Sequence, residues 1–165
     1  MHYLGMSKDK VEPVADQLNQ VLACYQVYYQ NLRNFHWNIK GKNFFDLHAL
    51  FEDFYNAAQM EIDEVAERLL TIRFRPLSSL AEYLETSKIE EAGVVDDSQE
   101  MVRCLLSNHG QMIQCMRDTI KAANEIGDEA TIDLIAGYLR TMEKRSWMMD
   151  QWIGETEHRM AEEIA

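Results

Sequence analysis

The stretch between Asn43 and Thr71 contains no glycine or proline and carries one regular apolar stripe. Its apolar residues recur at steps of three or four, which is the spacing of one face of an α-helix. The stripe consists of Leu47, Phe51, Phe54, Ala58, Ile62, Val65, Leu69 and Ile72. The pattern predicts one long amphipathic helix whose stripe faces the interior of the fold.

A second face of the same helix carries residue types that bind metal ions. At about 100° per residue, with Leu47 as zero, the apolar stripe centres near roughly 20°. His48 and Glu52 are separated by four positions, and so are Asp63 and Glu67. All four fall between roughly 100° and 200°. Each pair could therefore chelate one cation from a single helix surface.

The two pairs cannot close on one metal ion within a single helix. Their centres lie about fifteen residues apart, which is roughly 22 Å along a helix. Two copies of the helix that cross antiparallel on a two-fold axis near residues 57 and 58 would bring the first pair of one chain to the second pair of the other. The spacing therefore predicts two equivalent metal sites between two copies of the chain.

A histidine and several acids at helical spacing also occur on helix faces that only contact water. That interpretation leaves the neighbouring aromatic residues unexplained, because large aromatic side chains prefer burial or interfaces. These residues are Trp37, Phe44, Phe45, Phe51 and Tyr55. Spacing alone leaves the metal site and the solvated face as open alternatives.

The length and composition of residues 1–165 suit one soluble globular domain. The net charge of −12 repels phosphate backbones and attracts cations, so we do not expect direct DNA binding. No apolar run approaches the length of a membrane span, and residues 1–10 lack the apolar segment of a secretory signal, so we expect a cytoplasmic protein without membrane contact. The cysteines Cys24, Cys104 and Cys115 lack metal-site spacing and are expected to be small buried residues in a reducing compartment.

The segments before and after the stretch predict its immediate neighbours. A first helix is expected from about Ser7 or Asp9 to Asn38, with Pro13 tolerated only in its first turn. Lys40-Gly41-Lys42 then breaks the pattern, and so short a connection favours an antiparallel helical hairpin. The second helix ends before Arg73, because Pro76 disfavours helix at the residue before it.

A long connection is predicted between the second and third long helices, with a short helix at Leu80–Leu84. It reaches to about Val95, which lets the third helix start at the far end of the bundle. That helix runs from about Asp96 or Asp97 to Ile126, followed by Gly127 at its end. Asp128 then caps a fourth long helix that continues through Trp152, and the polar tail after Gly154 is expected to fray.

Short motifs spread along nearly the whole chain form a recognisable set. They are His36-Trp37-Asn38, Gly41, Asn43-Phe44-Phe45, Leu47-His48, Phe51-Glu52, Ile62-Asp63-Glu64, Ala66-Glu67-Arg68, Gly127-Asp128-Glu129-Ala130-Thr131 and Trp147-Met148. Together they resemble the signature of the Dps proteins, the mini-ferritins. The resemblance implies an all-α fold, a ferritin-like four-helix bundle with a short extra helix in the crossover. The chain departs from the family at Arg73 and Arg75, where glycine is more usual.

The resemblance also implies a ferroxidase centre between two-fold-related subunits. Its ligands would be His36, His48 and Glu52 of one chain, with Asp63 and Glu67 of the other. The geometry of the helix predicts the same pairing, except for His36. His36 lies on the apolar stripe of the first helix, where a buried structural histidine is the ordinary interpretation, so its role rests on the resemblance.

By the same resemblance, the chain would form a hollow homododecamer that stores iron. Fe(II) would be oxidised, preferably by hydrogen peroxide and more slowly by oxygen, and kept as a ferric oxyhydroxide core that protects against oxidative damage. Iron would enter through three-fold pores lined by acids at the start of the last helix, here Glu129 and Asp133. Several family members bind DNA through a lysine-rich N-terminal tail, whereas residues 1–10 hold only two lysines, so DNA binding is not expected.

Two other functions stay open from the residues alone. A di-iron protein of the larger-ferritin type needs two Glu-x-x-His motifs on core-facing helices. This chain has one, from Glu155 to His158, in its polar tail. A four-helix interaction module without metal would explain the bundle but not the complementary ligand pairs.

Overall fold

Four long α-helices and one short α-helix make up most of the chain in the computed structural model. The structure describes the backbone of residues 3–164 and the side chains of residues 3–154. No strand occurs in that part of the chain, so the predicted all-α fold is confirmed. The helices are α1 (Lys8–Asn38), α2 (Phe44–Thr71), α3 (Leu80–Thr86), α4 (Ser98–Ile126) and α5 (Glu129–Ile164).

Neighbouring long helices run antiparallel, and a crossover reverses the direction of the chain. Helix α1 packs against α2 and α4, and α4 packs against α5. Residues 72–97 form the crossover, and Ser98 at the start of α4 lies beside Asn43 at the start of α2. The third long helix therefore starts at the end of the bundle that the sequence predicts. The short helix of the crossover, α3, extends two residues beyond the predicted Leu80–Leu84.

Amide side chains of α1 hold the crossover against the bundle. The Nδ2 group of the buried Asn31 donates to the Glu90 carbonyl at 3.0 Å, and its Oδ1 accepts from the N–H of Ala92 at 2.9 Å. Gln20 donates in the same way to the carbonyl of Thr86. These bonds satisfy backbone groups at the end of α3 and in the irregular segment that follows it.

Helix α2 ends at a left-handed residue, Arg73, whose φ is 66°. The N–H of Phe74 donates to the carbonyl of Leu69 at 2.9 Å and closes the last turn. A left-handed residue with a Cβ costs about 1 to 2 kcal/mol, which is why glycine suits this position. Arginine gains a cation–π contact that glycine lacks, because its guanidinium lies 4.5 Å from the centre of the Tyr3 ring. The helix ends where the sequence predicts, and Arg73 rather than Pro76 accounts for it.

The start of α1 falls within the predicted range, but Pro13 does not lie in the first turn as predicted. The helix begins at Lys8 with Ser7 as its N-cap, so Pro13 lies inside the helix and beyond its first turn. Both Pro13 and Asp9 are exposed. The carbonyl of Asp9, which has lost its helical donor, can therefore be hydrated, and the proline is tolerated. The backbone of α5 stays helical through Ile164, so the predicted fraying after Gly154 is not observed.

Asp128 joins the end of α2 to the start of α5. Its Oδ1 accepts from the Arg68 guanidinium at 2.6 Å and from the N–H of Thr131 at 3.1 Å, so it caps α5 as predicted. The Thr131 hydroxyl donates to Oδ2 at 2.6 Å. Burial alone would raise the pKa of Asp128, but the hydrogen bonds from Thr131 and Arg68 and the guanidinium charge lower it below its ordinary value.

Replacing Asp128 with alanine should lower the free energy of unfolding by about 3 kcal/mol, because it leaves a nearly buried guanidinium unpaired and removes a helix cap. Glu143→Ala is the matched control, since the pair of Glu143 with Arg117 has side chains 48% and 58% exposed. This control should change the free energy by less than about 1 kcal/mol. Urea unfolding followed by circular dichroism measures both, and equal effects would contradict the prediction.

The contribution of Asp128 should also depend on pH. Because its folded-state pKa is lowered, this stability is present above the ordinary pKa of 3.8 and is lost as the pH falls through the lower folded value. The difference between the wild type and Asp128→Asn should therefore shrink in that acidic range.

Candidate metal centre

The end of α1 and the start of α2 bring two imidazole rings face to face. The ring centres of His36 and His48 are 3.8 Å apart, and their planes differ by 19°. Nδ1 of His36 lies 2.8 Å from the carbonyl oxygen of His48, and Nδ1 of His48 lies 2.9 Å from the carbonyl oxygen of His36. A carbonyl oxygen only accepts, so Nδ1 is the donor in both rings. In the neutral rings, both Nε2 lone pairs are left free to bind a metal ion.

Glu52 adds a carboxylate to the two imidazoles. One ligand atom from each of His36, His48 and Glu52 lies within 4.8 Å of the other two. No other group of three metal-binding side chains occurs in the described part of the chain. His36 is 8% exposed, His48 is half-buried and Glu52 is exposed, so the group opens outward from the bundle. Two nitrogens and one carboxylate suit Fe(II) and similar divalent ions, and three ligands leave coordination positions open.

Aromatic rings support the imidazoles from either side. The Phe44 ring stacks on His48 with 4.8 Å between ring centres. The Tyr55 ring meets His36 edge-on at 5.3 Å, and its hydroxyl lies 3.4 Å from a carboxylate oxygen of Glu52. Burial and the charge of Glu52 raise the pKa of Tyr55, which keeps its hydroxyl protonated as a donor to that carboxylate.

Other aromatic residues near the group differ in their exposure to solvent. Phe51 is buried in the core, whereas Phe45 is 83% exposed and Trp37 is 59% exposed. The guanidinium of Arg33 lies 4.6 Å from the Trp37 ring. The chain by itself therefore covers only part of the aromatic surface next to the predicted site.

Asp63 and Glu67 lie on the outward side of α2, and both are exposed. They line an open groove with Asn56, Gln59 and Met60. Within one chain the structure does not bring them to the imidazoles, because about fifteen residues of rigid helix, roughly 22 Å, separate the two pairs. Their pairing with the first group across two chains stays a prediction.

Glu129 and Asp133, the two acids expected at a pore, are both exposed at the start of α5. Asp133 lines a shallow groove between α2 and α5 together with Glu64 and Glu67. Their surroundings within one chain fit a surface that faces solvent or a neighbouring subunit.

Comparison with known proteins decides the family. A family model described as a ferritin-like domain matches residues 15–158. The DNA protection during starvation protein 2 of Bacillus anthracis is 35% identical over 142 residues, which is 86% of this chain and 97% of that protein. The crystal structure of the Dps protein of Vibrio cholerae O1 superposes with a TM-score of 0.89 at 40% identity, covering 92% of this chain and 95% of that one. The chain belongs to the Dps family of ferritin-like proteins.

The Dps fold is matched closely along the chain. The Dps structure from Bacillus brevis has a TM-score of 0.86 and 36% identity, covering 90% of this chain and 99% of that one. The Vibrio cholerae protein is described as a member of a broad superfamily of ferritin-like diiron-carboxylate proteins. Across the described residues of this Dps chain, no helix is long and apolar enough to cross a membrane.

The centre of the Dps bundle holds a charged pair that the sequence analysis missed. Glu61 is 8% exposed, and its Oε1 lies 3.5 Å from a guanidinium nitrogen of Arg145. The only other buried carboxylate among the described side chains, Asp128, is paired with Arg68. The sequence does indicate this position, since Glu61 falls at roughly 320°, at the edge of the apolar stripe of α2.

This pairing bears on the larger-ferritin alternative. An intrabundle di-iron site needs several carboxylates that are free to bind metal, whereas arginines neutralise both carboxylates buried in the described bundle. Glu155 and His158, the Glu-x-x-His pair of the sequence, lie outside the described side chains. The described interior therefore offers no ligand set for two metal ions.

A buried histidine next to this pair is held in its neutral form. Nδ1 of His109 lies 2.9 Å from the Ser146 hydroxyl, which itself donates to the Met142 carbonyl at 2.8 Å. Nδ1 is therefore the donor, and Nε2 accepts from the Tyr28 hydroxyl at 2.7 Å. Burial and then the charge of Arg145 lower the pKa of His109 to about 3. Both ring nitrogens are used within the core, so this histidine is structural.

The two nitrogens of His36 can be tested separately. In His36→Asn, the side-chain amide stands where Nδ1 stood and can still donate to the His48 carbonyl, but no atom replaces Nε2. We expect Co(II) affinity to fall at least about tenfold with little change in unfolding, whereas His36→Ala should lose both affinity and stability. Calorimetric titration of the assembled protein measures the affinity, and wild-type affinity in His36→Asn would exclude His36 as a ligand.

Proposed function

We propose that the chain, as one Dps domain, is a ferroxidase subunit that oxidises and stores iron. The observation that carries the proposal is the outward-facing group of His36, His48 and Glu52, with both Nε2 atoms freed by the reciprocal Nδ1 hydrogen bonds. Imidazole and carboxylate ligands suit Fe(II), which is the substrate here, and the open coordination positions admit an oxidant. The relatives named for DNA protection during starvation and for general stress support a protective role.

In the proposed reaction the protein binds and orients the ion. The carbonyls of His36 and His48 hold the two rings in register, so Fe(II) binds without a rotamer search. Glu52 supplies negative charge at the exposed side, and Tyr55 donates to it. Hydrogen peroxide is the preferred oxidant in this proposal, with oxygen slower, and the product is a ferric oxyhydroxide core inside a hollow dodecamer.

The complete centre is proposed to form between two chains. Three ligands come from one chain, and Asp63 and Glu67 of a two-fold-related chain supply the rest. The exposure of all three carboxylates supports this arrangement, because within its own chain neither pair is covered. A second copy that crosses α2 near residues 57 and 58 would form two such centres in each dimer.

Hybrid particles test both the activity and the shared geometry. His48→Ala/Glu52→Ala chains and Asp63→Ala/Glu67→Ala chains should each oxidise Fe(II) slowly as homo-oligomers. In a mixed dimer one of the two centres is intact, so particles of mixed dimers should recover about half the wild-type rate. Ferric absorbance after adding peroxide to Fe(II)-loaded protein measures the rate.

The matched control combines two variants that both lack ligands from the group of His36, His48 and Glu52. Hybrids of His48→Ala/Glu52→Ala chains with His36→Ala chains keep no intact centre and should recover nothing. No recovery in verified hybrids of the first kind would exclude the shared centre, and wild-type rates in both homo-oligomers would exclude ferroxidase activity at these residues.

We further propose that Glu129 and Asp133 line the entry route for iron. Both are exposed and lie four positions apart at the start of α5. Three copies around a three-fold axis would place six carboxylates at one opening, and their field would attract Fe(II).

Glu129→Gln/Asp133→Asn should therefore slow iron uptake at low ionic strength, and the difference from wild type should shrink as added salt screens the field. Glu143→Gln, an exposed acid elsewhere on the same helix, is the control. Stopped-flow absorbance at two salt concentrations measures uptake, with size-exclusion chromatography to verify assembly. If the double variant matches the wild type while assembled, these acids only stabilise the helix terminus.

DNA is not a proposed partner, although relatives carry DNA protection in their names. In the described part of the segment before α1, Tyr3 contacts the end of α2, because its hydroxyl donates to the Thr71 carbonyl at 2.5 Å and its ring contacts Arg73. The net charge of −12 adds repulsion. We predict no gel-shift complex with duplex DNA at neutral pH and near-physiological salt, and a stable complex there would contradict this.

A further inference from the structure

Two cysteine thiols meet in the interior where α1 packs against α4. The sulfur atoms of Cys24 and Cys115 are 3.9 Å apart, and both residues are fully buried and unbridged. The sequence predicts both as buried residues, and their separation of 91 positions gives no sign of this contact. The third cysteine, Cys104, has a different partner, since its sulfur accepts from the Asn108 amide at 3.8 Å.

The surroundings of Cys24 favour a negatively charged sulfur. The backbone N–H of Lys88 donates to its Sγ at 3.4 Å, and the amide of Gln20 donates at 3.7 Å. The Cys115 thiol and these two donors lower the pKa of Cys24, although burial opposes them, and the same contact raises the pKa of Cys115. One sulfur of the pair is thus suited to act as the nucleophile and the other to supply a proton.

Only a thin cover separates Cys24 from solvent. Residues 87 and 88, which follow the end of α3, have no helical or strand structure, and Lys88 is exposed on the surface while its N–H points to the sulfur. Gln20 ties the adjacent Thr86 carbonyl to α1. Local opening of this short segment would admit a molecule as small as hydrogen peroxide.

We propose that Cys24 and Cys115 form a peroxide-responsive dithiol that closes into a disulfide between α1 and α4. The thiolate sulfur of Cys24 attacks one oxygen of hydrogen peroxide, the O–O bond breaks, and the departing hydroxide takes up the proton that the Cys24 thiol gave up on ionising, which forms water. The Cys115 sulfur then attacks the sulfenic sulfur of Cys24, the S–O bond breaks, and hydroxide leaves with the proton that Cys115 gives up. Two thiols are oxidised by two electrons in all, and one peroxide is reduced to two waters.

The contact between the two sulfurs makes closure local. A rotation about one Cα–Cβ bond moves a sulfur by ångströms, so the bond can form without moving either helix far. The closed loop would include α2 and the crossover, and a link across so long a segment restricts the unfolded chain strongly. Peroxide would thereby raise the free energy of unfolding of the subunit until a reductant reopens the bond. The step needs no iron and does not depend on the proposed ferroxidase centre.

The test uses the assembled, iron-free protein in the presence of a metal chelator. After exposure to hydrogen peroxide, free thiols are alkylated under denaturing conditions without reductant, and the peptides are mapped by mass spectrometry. We expect a linked peptide pair containing Cys24 and Cys115, lighter by two hydrogen atoms and separated by dithiothreitol, with Cys104 alkylated. The thermal midpoint should rise by about 10 °C after oxidation and return after reduction.

Variants separate the roles of the two sulfurs. Cys115→Ser should stop at a sulfenic acid on Cys24 that dimedone traps, and Cys24→Ser should give neither product. Cys104→Ser is the matched control and should form the same link as the wild type. Three alkylated cysteines after exposure, a link through Cys104, or a dead-end sulfinic acid on Cys24 of the wild type would each overturn the proposal. If a variant fails to fold, peptide mapping of the wild type alone still tests whether Cys24 and Cys115 form a disulfide. Because the chelator removes iron, this test does not depend on the outcome of the ferroxidase assay.

Discussion

Burial of the apolar stripe of α2 sets the rotation of that helix about its axis, and the candidate metal centre depends on this rotation. Leu47, Phe51, Val65 and Leu69 are each at most 1% exposed. Full burial of each such side chain stabilises the fold by about 1.5 to 3 kcal/mol, and turning a helix by one residue, about 100°, would expose several at once. Because the buried stripe sets the rotation of α2 about its axis, the acids on the opposite face must point away from the bundle.

Hydrogen bonds of His36 and His48 join the start of α2 to the end of α1. Nδ1 of His48 gives the His36 carbonyl, in the last turn of α1, a donor that the helix itself does not supply. Nδ1 of His36 donates in return to the His48 carbonyl near the start of α2. The interpretation of His36 as a structural histidine and its interpretation as a ligand are therefore compatible, since one nitrogen serves each purpose. The same bonds that close the hairpin leave the two Nε2 atoms free, and these atoms would bind the ion in the proposed centre.

Each of the two carboxylates buried in the described part of the bundle is paired with an arginine. Long polar side chains join α2 to α5, where Arg68 meets Asp128 and Glu61 meets Arg145. The hydroxyl of Tyr138 donates to Glu64 along the same seam. Buried pairs of this kind add little net stability, but an alternative register would leave a buried charge unpaired at several kcal/mol. They specify the antiparallel fit of α2 on α5 and take the interior carboxylates out of reach of metal ions.

The sequence by itself determined most of the helix limits and the two outward pairs on α2, because these depend on residues within about four positions of one another. Asp97, Gly127 and Asp128 act at the helix ends as their residue types predict. The contacts between distant residues were decided only by the tertiary structure. His36 meets His48 through a hairpin, Glu61 meets Arg145 across the bundle, and Cys24 meets Cys115 over 91 positions. Local periodicity shows which face of a helix is buried, but which side chains meet there depends on how the helices pack against one another.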